Sequence, residues 1–216
     1  MSSPRHQPIL FDLDGTLIDS SLDIVAAVNR TLRNLSLPEL PDDEIIGYVG
    51  DGVRKLMRRV FADHGRPNLD EAVRAFKADY LSNSLLQTRP YPGIEDLLDK
   101  LSPYKLAVVT NKPVAMARRI LAGLGLDGHF SAVVGGDEAP LKPLPDPIGL
   151  ALNRLGEGAQ GALMVGDHPN DILAGRAAGL TTCGVCWGFD EGRAVMDLGP
   201  DKLVHKPEEL RDWLLK

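Results

Sequence analysis

Short apolar runs bounded by glycine, proline, aspartate or asparagine recur along this chain. Five of them have the length and flanking residues expected of buried strands: residues 8–13, 105–110, 132–135, 162–166 and 181–186. Four of the five are followed by apolar residues at helical spacing, as in residues 114–124, 146–155 and 172–178. Alternating strands and helices are typical of a parallel, doubly wound sheet. We therefore predict an α/β fold with a Rossmann-like core of five parallel strands.

The alternation is interrupted once, between the first and second predicted strands, which lie about ninety residues apart. That is far longer than an ordinary connection between parallel strands. The intervening segment has helical patterns near residues 20–35, 42–49, 53–64 and 69–86, with a stop signal at residues 65–67 and a stiff, proline-rich return at 88–93. We predict a helical cap domain, residues 18–88, inserted into a catalytic core of residues 1–17 and 89–216.

Charge and composition exclude some classes of protein. The net charge of −6 argues against a nucleic-acid partner. No segment approaches the roughly 20 apolar residues of a membrane helix, and the first residues do not form a signal peptide. We expect a cytoplasmic protein without a membrane partner. Cys183 and Cys186 form a C-x-x-C pair, which we interpret as part of a strand because no second cysteine pair completes a zinc site.

Two pairs of carboxylates follow predicted strands. Asp12 and Asp14 come at the end of the first strand, and Asp167 and Asp171 follow the fourth. Aspartates at such places are often turn residues or helix caps. However, open α/β sheets bind ligands at the carboxyl ends of their strands, and carboxylate oxygens suit Mg²⁺.

Two further segments offer groups that bind phosphate. Thr110, Asn111 and Lys112 follow the second predicted strand and offer a hydroxyl, an amide and an ammonium group. Lys142 lies in a proline-rich loop that can hold it in one place. Each segment alone is as well explained by an ordinary polar turn. Together with the carboxylates, at one edge of one sheet, they predict a site for phosphate and Mg²⁺.

These motifs resemble those of the haloacid dehalogenase superfamily of phosphohydrolases. The pattern Asp12-x-Asp14-Gly-Thr, then Thr110, Lys142 and Gly-Asp167-x-x-x-Asp171, spans nearly the whole chain. The helical insertion corresponds to the cap of that family. Residues 49–54, 89–93, 134–137 and 170–179 are similar to those of its phosphoglycolate phosphatases. The resemblance implies hydrolysis of a small phosphorylated metabolite, best represented by 2-phosphoglycolate, by a monomer or homodimer.

The resemblance also implies roles for individual residues. Asp12 would be the nucleophile and form an aspartyl-phosphate, and Asp14 would act first as general acid and then as general base. Thr110 and Asn111 would bind the phosphoryl group, and Lys142 would neutralise charge. Asp12, the Asp14 carbonyl and Asp167 would hold Mg²⁺, with Asp171 ligating it through water or orienting the other ligands. Strand order in this family would place the first and fourth strands side by side.

Recognition of the rest of the substrate is expected from Lys112 and from the cap. Gly52 and Arg54 precede and begin a predicted helix, and Arg54 could bind a substrate carboxylate. The alternative is that Arg54 is a solvated helix residue like its basic neighbours. His168 stands where the subgroup more often has a small polar residue, and we interpret it as a neighbour of the metal site rather than a ligand.

Other functions remain compatible with these motifs. They are a phosphatase of a different small metabolite, a sugar phosphomutase on the same scaffold, and a phosphate-binding regulatory protein. A dehalogenase is disfavoured, because it needs neither Asp14 nor a metal site.

Overall fold

The computed structural model describes residues 7–62 and 68–216. The strands are β1 (Ile9–Phe11), β2 (Ile18–Asp19), β3 (Arg89–Pro90), β4 (Leu106–Val109), β5 (Ala132–Val134), β6 (Leu163–Gly166), β7 (Thr181–Val185) and β8 (Lys202–Val204). The helices are α1 (Ser21–Asn34), α2 (Asp42–Ile46), α3 (Val53–Val60), α4 (Leu69–Asn83), α5 (Ile94–Lys100), α6 (Val114–Gly123), α7 (Asp146–Leu155), α8 (Pro169–Ala177), α9 (Arg193–Met196) and α10 (Pro207–Leu214). All five predicted strands are present, within three residues of their expected ends.

The main sheet has six parallel strands in the order β5-β4-β1-β6-β7-β8. This confirms the α/β fold and the expected adjacency of the first and fourth predicted strands, since β1 pairs with β6. The predicted number of five strands is wrong by one, because β8 was missed. That strand has three residues at the sheet edge and begins with a lysine, so its apolar pattern is too short to detect.

Both faces of the sheet are covered, which explains why its strands are continuous apolar runs. Ile9 and Phe11 of β1 belong to one apolar cluster and Leu10 belongs to another, on the opposite face. The first cluster also includes the buried side chains of α1, α3, α4, α5 and α6. The second is closed by α7 and α8, which pack on β4, β5, β6 and β7. The two layers of helices hold β1 at the centre of the molecule.

The inserted segment forms helices α1 to α4, each within a few residues of the prediction. Helices α1 and α4 pack along each other and are joined by Arg30, whose guanidinium donates to both Asp79 carboxylate oxygens at 2.7–2.9 Å. The predicted stop at residues 65–67 lies outside the described residues. The domain boundaries at 17/18 and 88/89 stay a prediction. Across the described ranges, no helix combines the length and the apolar character that a bilayer crossing demands.

The two chain segments that lead into and out of the insertion pair with each other. Strand β2 is antiparallel to β3, with Ile18 opposite Pro90. The sequence suggested only a stiff linker here, because two-residue strands have no detectable periodicity. Beside this pair, Asp23 of α1 accepts hydrogen bonds from the Gln87 backbone and from the backbone and hydroxyl of Thr88, at 2.8–3.1 Å. One buried carboxylate therefore joins the first inserted helix to the returning chain.

We expect Asp23→Ala to reduce the free energy of unfolding by about 1–3 kcal/mol, because three donors would lose their acceptor. Asp23 is 1% exposed, so water cannot replace the lost carboxylate without rearrangement. The measurement is urea denaturation. Asp197→Ala, at an exposed aspartate, is the control and should change stability by less than about 0.5 kcal/mol. Equal effects of the two substitutions would contradict the role of Asp23.

Candidate active site

The carboxyl ends of β1, β4 and β6 meet at one edge of the sheet, as parallel neighbours must. The residues that follow them are Asp12, Thr110 and Asp167, all nearly buried. Lys142 reaches the same place from the loop before α7, and Asp171 from the first turn of α8. Together these side chains line one end of a cavity of about 640 Å³. Helices α1, α3 and α4 contribute apolar side chains to the rest of its wall.

Three carboxylates form the floor of this cavity. Asp12, Asp167 and Asp171 each offer one oxygen, and these oxygens all lie within 4.8 Å of one another. The exposed fractions of the three residues are 8%, 5% and 1%. Like charges this close and this buried repel one another strongly unless cations compensate them.

Lys142 supplies part of that compensation. Its Nζ donates to Asp12 Oδ1 at 2.9 Å, to Asp171 Oδ1 at 2.6 Å and to the Val109 carbonyl at 2.5 Å. The lysine is 2% exposed. Its backbone is held by the side chain of Asn111, which accepts from the Lys142 N–H at 2.9 Å and donates to its carbonyl at 3.0 Å. The proline-rich loop is thus fixed to the end of β4.

Burial and neighbouring charges shift the pKa values of the groups in this cluster. Burial has the largest effect on Asp12 and raises its pKa, with Lys142 acting against the rise and Asp171 adding to it. Burial, then the charges of Asp12 and Asp171, raise the pKa of Asp167 well above its usual range. Burial alone would lower the pKa of Lys142, but the two neighbouring carboxylates outweigh it and the pKa is raised. The Lys142 ammonium group thus contacts two of the three carboxylates directly, those of Asp12 and Asp171.

Asp167 is held in place by a residue that the sequence analysis did not single out. The Thr16 hydroxyl donates to Asp167 Oδ1 at 2.7 Å and accepts from the Asp167 backbone N–H at 3.1 Å. Gly15 and Gly188 lie against the Asp167 carboxylate, where a Cβ at either position would overlap it. Thr16 closes the Asp-x-Asp-Gly-Thr motif and could have been found from it, whereas Gly188 is far away in sequence and has no such signal.

Asp14 lines the same cavity but belongs to a different network. Its Oδ1 accepts from Lys112 Nζ at 2.6 Å and from the Ser20 hydroxyl at 2.5 Å. Lys112 Nζ also donates to the Tyr80 hydroxyl at 2.8 Å. Burial opposes the charged form of Lys112, but Asp14 and Tyr80 outweigh that effect and raise its pKa. Lys112 is thus a buried cation beside the carboxylate of Asp14.

The loop before α3 docks directly onto the active-site loops. Asn111 donates to the Gly50 carbonyl at 2.9 Å, and Asn170 donates to the same carbonyl at 3.3 Å and to Asp51 at 3.1 Å. The His168 ring lies against Gly50, where a Cβ would overlap it. Burial tends to raise the pKa of Asp51, but hydrogen bonds from Asn170 and Arg59 outweigh it and lower the pKa to about 2.

His168 caps helix α8. Its Nδ1 accepts from the Asn170 backbone N–H at 3.2 Å, and its own backbone N–H donates to Asp171 Oδ2 at 3.0 Å. Asp171 therefore serves both as a helix-capping carboxylate and as a partner of Lys142.

The structure brings together most of the expected site residues: Asp12, Asp14, Thr110, Asn111, Lys112, Lys142, Asp167, Asp171 and Gly52 all line the cavity. It does not bring Arg54 to them. The Arg54 guanidinium pairs with Asp70 at 2.5 Å, and its side chain is 58% exposed. This placement matches the alternative in which Arg54 is a solvated helix residue. Helix α3 turns its apolar side chains Val53 and Leu56 to the cavity instead.

The Asp12, Asp167 and Asp171 group fits a metal ion. All three are hard oxygen donors, and the excess negative charge among them favours a divalent cation. The Asp14 carboxylate is outside this group of side chains, and the expected contact of its carbonyl with a metal stays a prediction.

The chain is similar in sequence to a known protein family and to several of its relatives. The family model described as haloacid dehalogenase-like hydrolase matches residues 9–185. A phosphoglycolate phosphatase of Aquifex aeolicus (strain VF5) is 42% identical over 205 residues, covering 94% of this chain and 93% of that relative. A relative from Cupriavidus necator with the name "Phosphoglycolate phosphatase, plasmid" is 40% identical over 208 residues, covering 94% of this chain and 90% of that relative.

Solved structures show the same fold. A phosphatase of Haemophilus somnus 129PT, described as a predicted phosphoglycolate phosphatase, superposes with a TM-score of 0.91 at 29% identity and covers 98% of this chain and 99% of its own. A haloacid dehalogenase-like family hydrolase of Streptococcus pneumoniae gives a TM-score of 0.86 at 30% identity, covering 97% and 98%.

We expect Thr16→Val to weaken metal binding about 10- to 100-fold, because Asp167 would lose the hydroxyl that orients it. Isothermal titration with Mg²⁺ measures this directly, without a substrate. Thr16→Ser keeps the hydroxyl and is the matched control, with affinity close to the original. An unchanged affinity in Thr16→Val would show that the hydrogen bond does not orient a ligand.

Proposed function

This chain belongs to the haloacid dehalogenase-like hydrolase family, and from that premise we propose that it is a magnesium-dependent phosphatase. The proposed substrate is 2-phosphoglycolate, which is hydrolysed to glycolate and inorganic phosphate through an aspartyl-phosphate. The observation that supports the proposal is the Asp12–Lys142–Asp171 arrangement, in which a buried carboxylate suited to nucleophilic attack belongs to a group that fits a metal ion.

In the first half-reaction, the Asp12 carboxylate attacks phosphorus and the bond from phosphorus to the ester oxygen breaks. Asp14 donates a proton to that oxygen, so glycolate leaves as the alcohol. Lys142 holds Asp12 in position and offsets the charge that gathers around it. The Thr110 hydroxyl, at the end of β4, binds an oxygen of the transferring phosphoryl group.

In the second half-reaction, Asp14 removes a proton from a water molecule that attacks the phosphorus of the aspartyl-phosphate. The bond between phosphorus and the Asp12 oxygen breaks, which restores the carboxylate and releases phosphate. Asp14 thus returns to its starting protonation state after each turnover. Its position on the same loop as Asp12, two residues later, lets one side chain serve both steps.

Asp12 and Asp167, with Asp171 and the Asp14 carbonyl, would hold Mg²⁺, which when bound offsets the charge of the phosphoryl oxygens. We propose a role for Asn111 other than the expected one. Its amide is already engaged with the Lys142 backbone and Gly50, so we assign it to positioning Lys142 rather than to contacting phosphate.

The choice of substrate rests on the relatives. Those of Aquifex aeolicus and Cupriavidus necator carry the name phosphoglycolate phosphatase and match more than nine-tenths of this chain. The charged and hydroxyl groups proposed to act on the substrate all line one cavity: Asp12, Asp14, Thr110, Lys142, Asp167 and Asp171.

We expect Asp12→Asn to fold but to lose turnover of 2-phosphoglycolate by at least about a thousandfold, because an amide cannot attack phosphorus. Phosphate release measures activity, and thermal unfolding confirms the fold. Asp197→Asn makes the same chemical change at an exposed position and should retain full activity. Residual activity of Asp12→Asn within tenfold of the original would exclude Asp12 as nucleophile.

We expect a chelator to abolish turnover and added Mg²⁺ to restore it. Ca²⁺ should compete with Mg²⁺ while supporting little activity, because it takes more ligands at longer distances. Initial rates over a series of Mg²⁺ and Ca²⁺ concentrations test both statements. Full activity in the chelator would remove the metal from the mechanism.

A further inference from the structure

The cavity contains two lysines, and their hydrogen bonds differ in number. An ammonium group has three N–H donors. Lys142 uses all three, on Asp12, Asp171 and the Val109 carbonyl. Lys112 uses two at its Nζ, on Asp14 and the Tyr80 hydroxyl. Within the part of the chain that the structure describes, no acceptor is seen for its third N–H.

Lys112 is also the cation best placed to meet a second anionic group on a substrate. The described lining of the cavity includes several aspartates, Lys112, Lys142 and no arginine. Arg54, the other candidate, faces Asp70 at the surface. The remaining wall is largely apolar and offers no other fixed positive charge.

The position of Lys112 is set by the inserted helix α4. Tyr80 of α4 is 1% exposed and stacks on Phe76, with ring centroids 5.6 Å apart and an interplanar angle of 9°. Lys112 Nζ lies 4.6 Å from the centroid of the Tyr80 ring and 2.8 Å from its hydroxyl. A lysine side chain has many rotamers, so a rigid buried aromatic partner greatly reduces its freedom.

The contact with Asp14 determines what Lys112 can reach. Under the proposed function, Asp14 lies within hydrogen-bonding distance of the ester oxygen of the substrate. Lys112 Nζ is 2.6 Å from the Asp14 carboxylate. A carboxylate separated from the ester oxygen by one carbon can therefore reach hydrogen-bonding distance of the ammonium group, whereas a charge at the end of a longer chain would lie beyond it.

We propose that Lys112 is the specificity-determining residue for a carboxylate next to the ester carbon, and that Tyr80 is the positioning residue that aims it. The inference rests on the proposed function, because it takes the leaving oxygen to lie beside Asp14. It defines the substrate class as short phosphate esters of 2-hydroxy acids. Recognition of the leaving group then comes from a core lysine oriented by an inserted helix.

The test compares two substrates that differ in one group. 2-Phosphoglycolate carries a carboxylate where ethyl phosphate carries a methyl group. The readout is the ratio of their kcat/KM values, which cancels losses common to both substrates. Lys112→Met removes the charge at similar length and should lower the ratio about ten- to a hundredfold, the range for losing a charge-assisted hydrogen bond.

Tyr80→Phe keeps the ring and removes only the hydroxyl, so it tests positioning in a milder variant. We expect the ratio to fall about three- to tenfold, mainly through a higher KM for 2-phosphoglycolate. Tyr104→Phe is the matched control, because it removes a tyrosine hydroxyl that donates to Leu214 at 3.2 Å, away from the cavity. Its ratio should stay within about twofold.

The outcomes separate this inference from the proposed function. If kcat/KM falls equally for both substrates in Lys112→Met, the lysine serves only Asp14 and the inference is overturned. An unchanged ratio in Tyr80→Phe would overturn the positioning role even if Lys112→Met failed to fold. If the unmodified protein releases phosphate from neither substrate, the proposed function itself fails.

Discussion

The structure depends on one electrostatic constraint: three carboxylates are buried at the centre of the molecule with their oxygens within 4.8 Å of one another. Such a cluster is unfavourable in a low-dielectric interior unless positive charge and hydrogen-bond donors surround it. Lys142 meets part of that requirement by contacting two of the three. Burial, with repulsion between the carboxylates, raises the pKa values of Asp12 and Asp167 despite the nearby lysine. A divalent cation would complete that balance, so the cluster fits a metal site.

Much of the surrounding structure serves to hold that cluster. The Asn111 side chain forms hydrogen bonds with the backbone of Lys142 and with the Gly50 carbonyl. Asn170, beside Asp171, contacts the same carbonyl. The loop before α3 is thereby tied to the residues that orient the lysine and the helix carrying Asp171. A change in the docking of the inserted helices would therefore alter the candidate active site through these few hydrogen bonds.

A second network, around Asp14, separates the proposed acid–base group from the proposed metal-binding group. Lys112 and Ser20 hold the Asp14 carboxylate away from the cluster of Asp12, Asp167 and Asp171. The two aspartates are only two residues apart in sequence, yet their side chains have different partners. Local packing therefore gives two chemically identical side chains different environments, and the environment of a carboxylate usually decides its role.

The sequence by itself determined the fold class, five of the six strands of the main sheet and the residues at their carboxyl ends. The physical reason is that strand periodicity and chain order follow from local patterning, and parallel strands end at a common edge. The main-sheet strand β8 and the two-residue strands β2 and β3 escaped detection because runs of two or three residues have no detectable periodicity. Only the tertiary structure decided that Arg54 faces Asp70 while Lys112 faces the cavity, and that Thr16 and Tyr80 support the site. The direction of a side chain depends on which helix packs beside it, and residues far apart in sequence determine that packing.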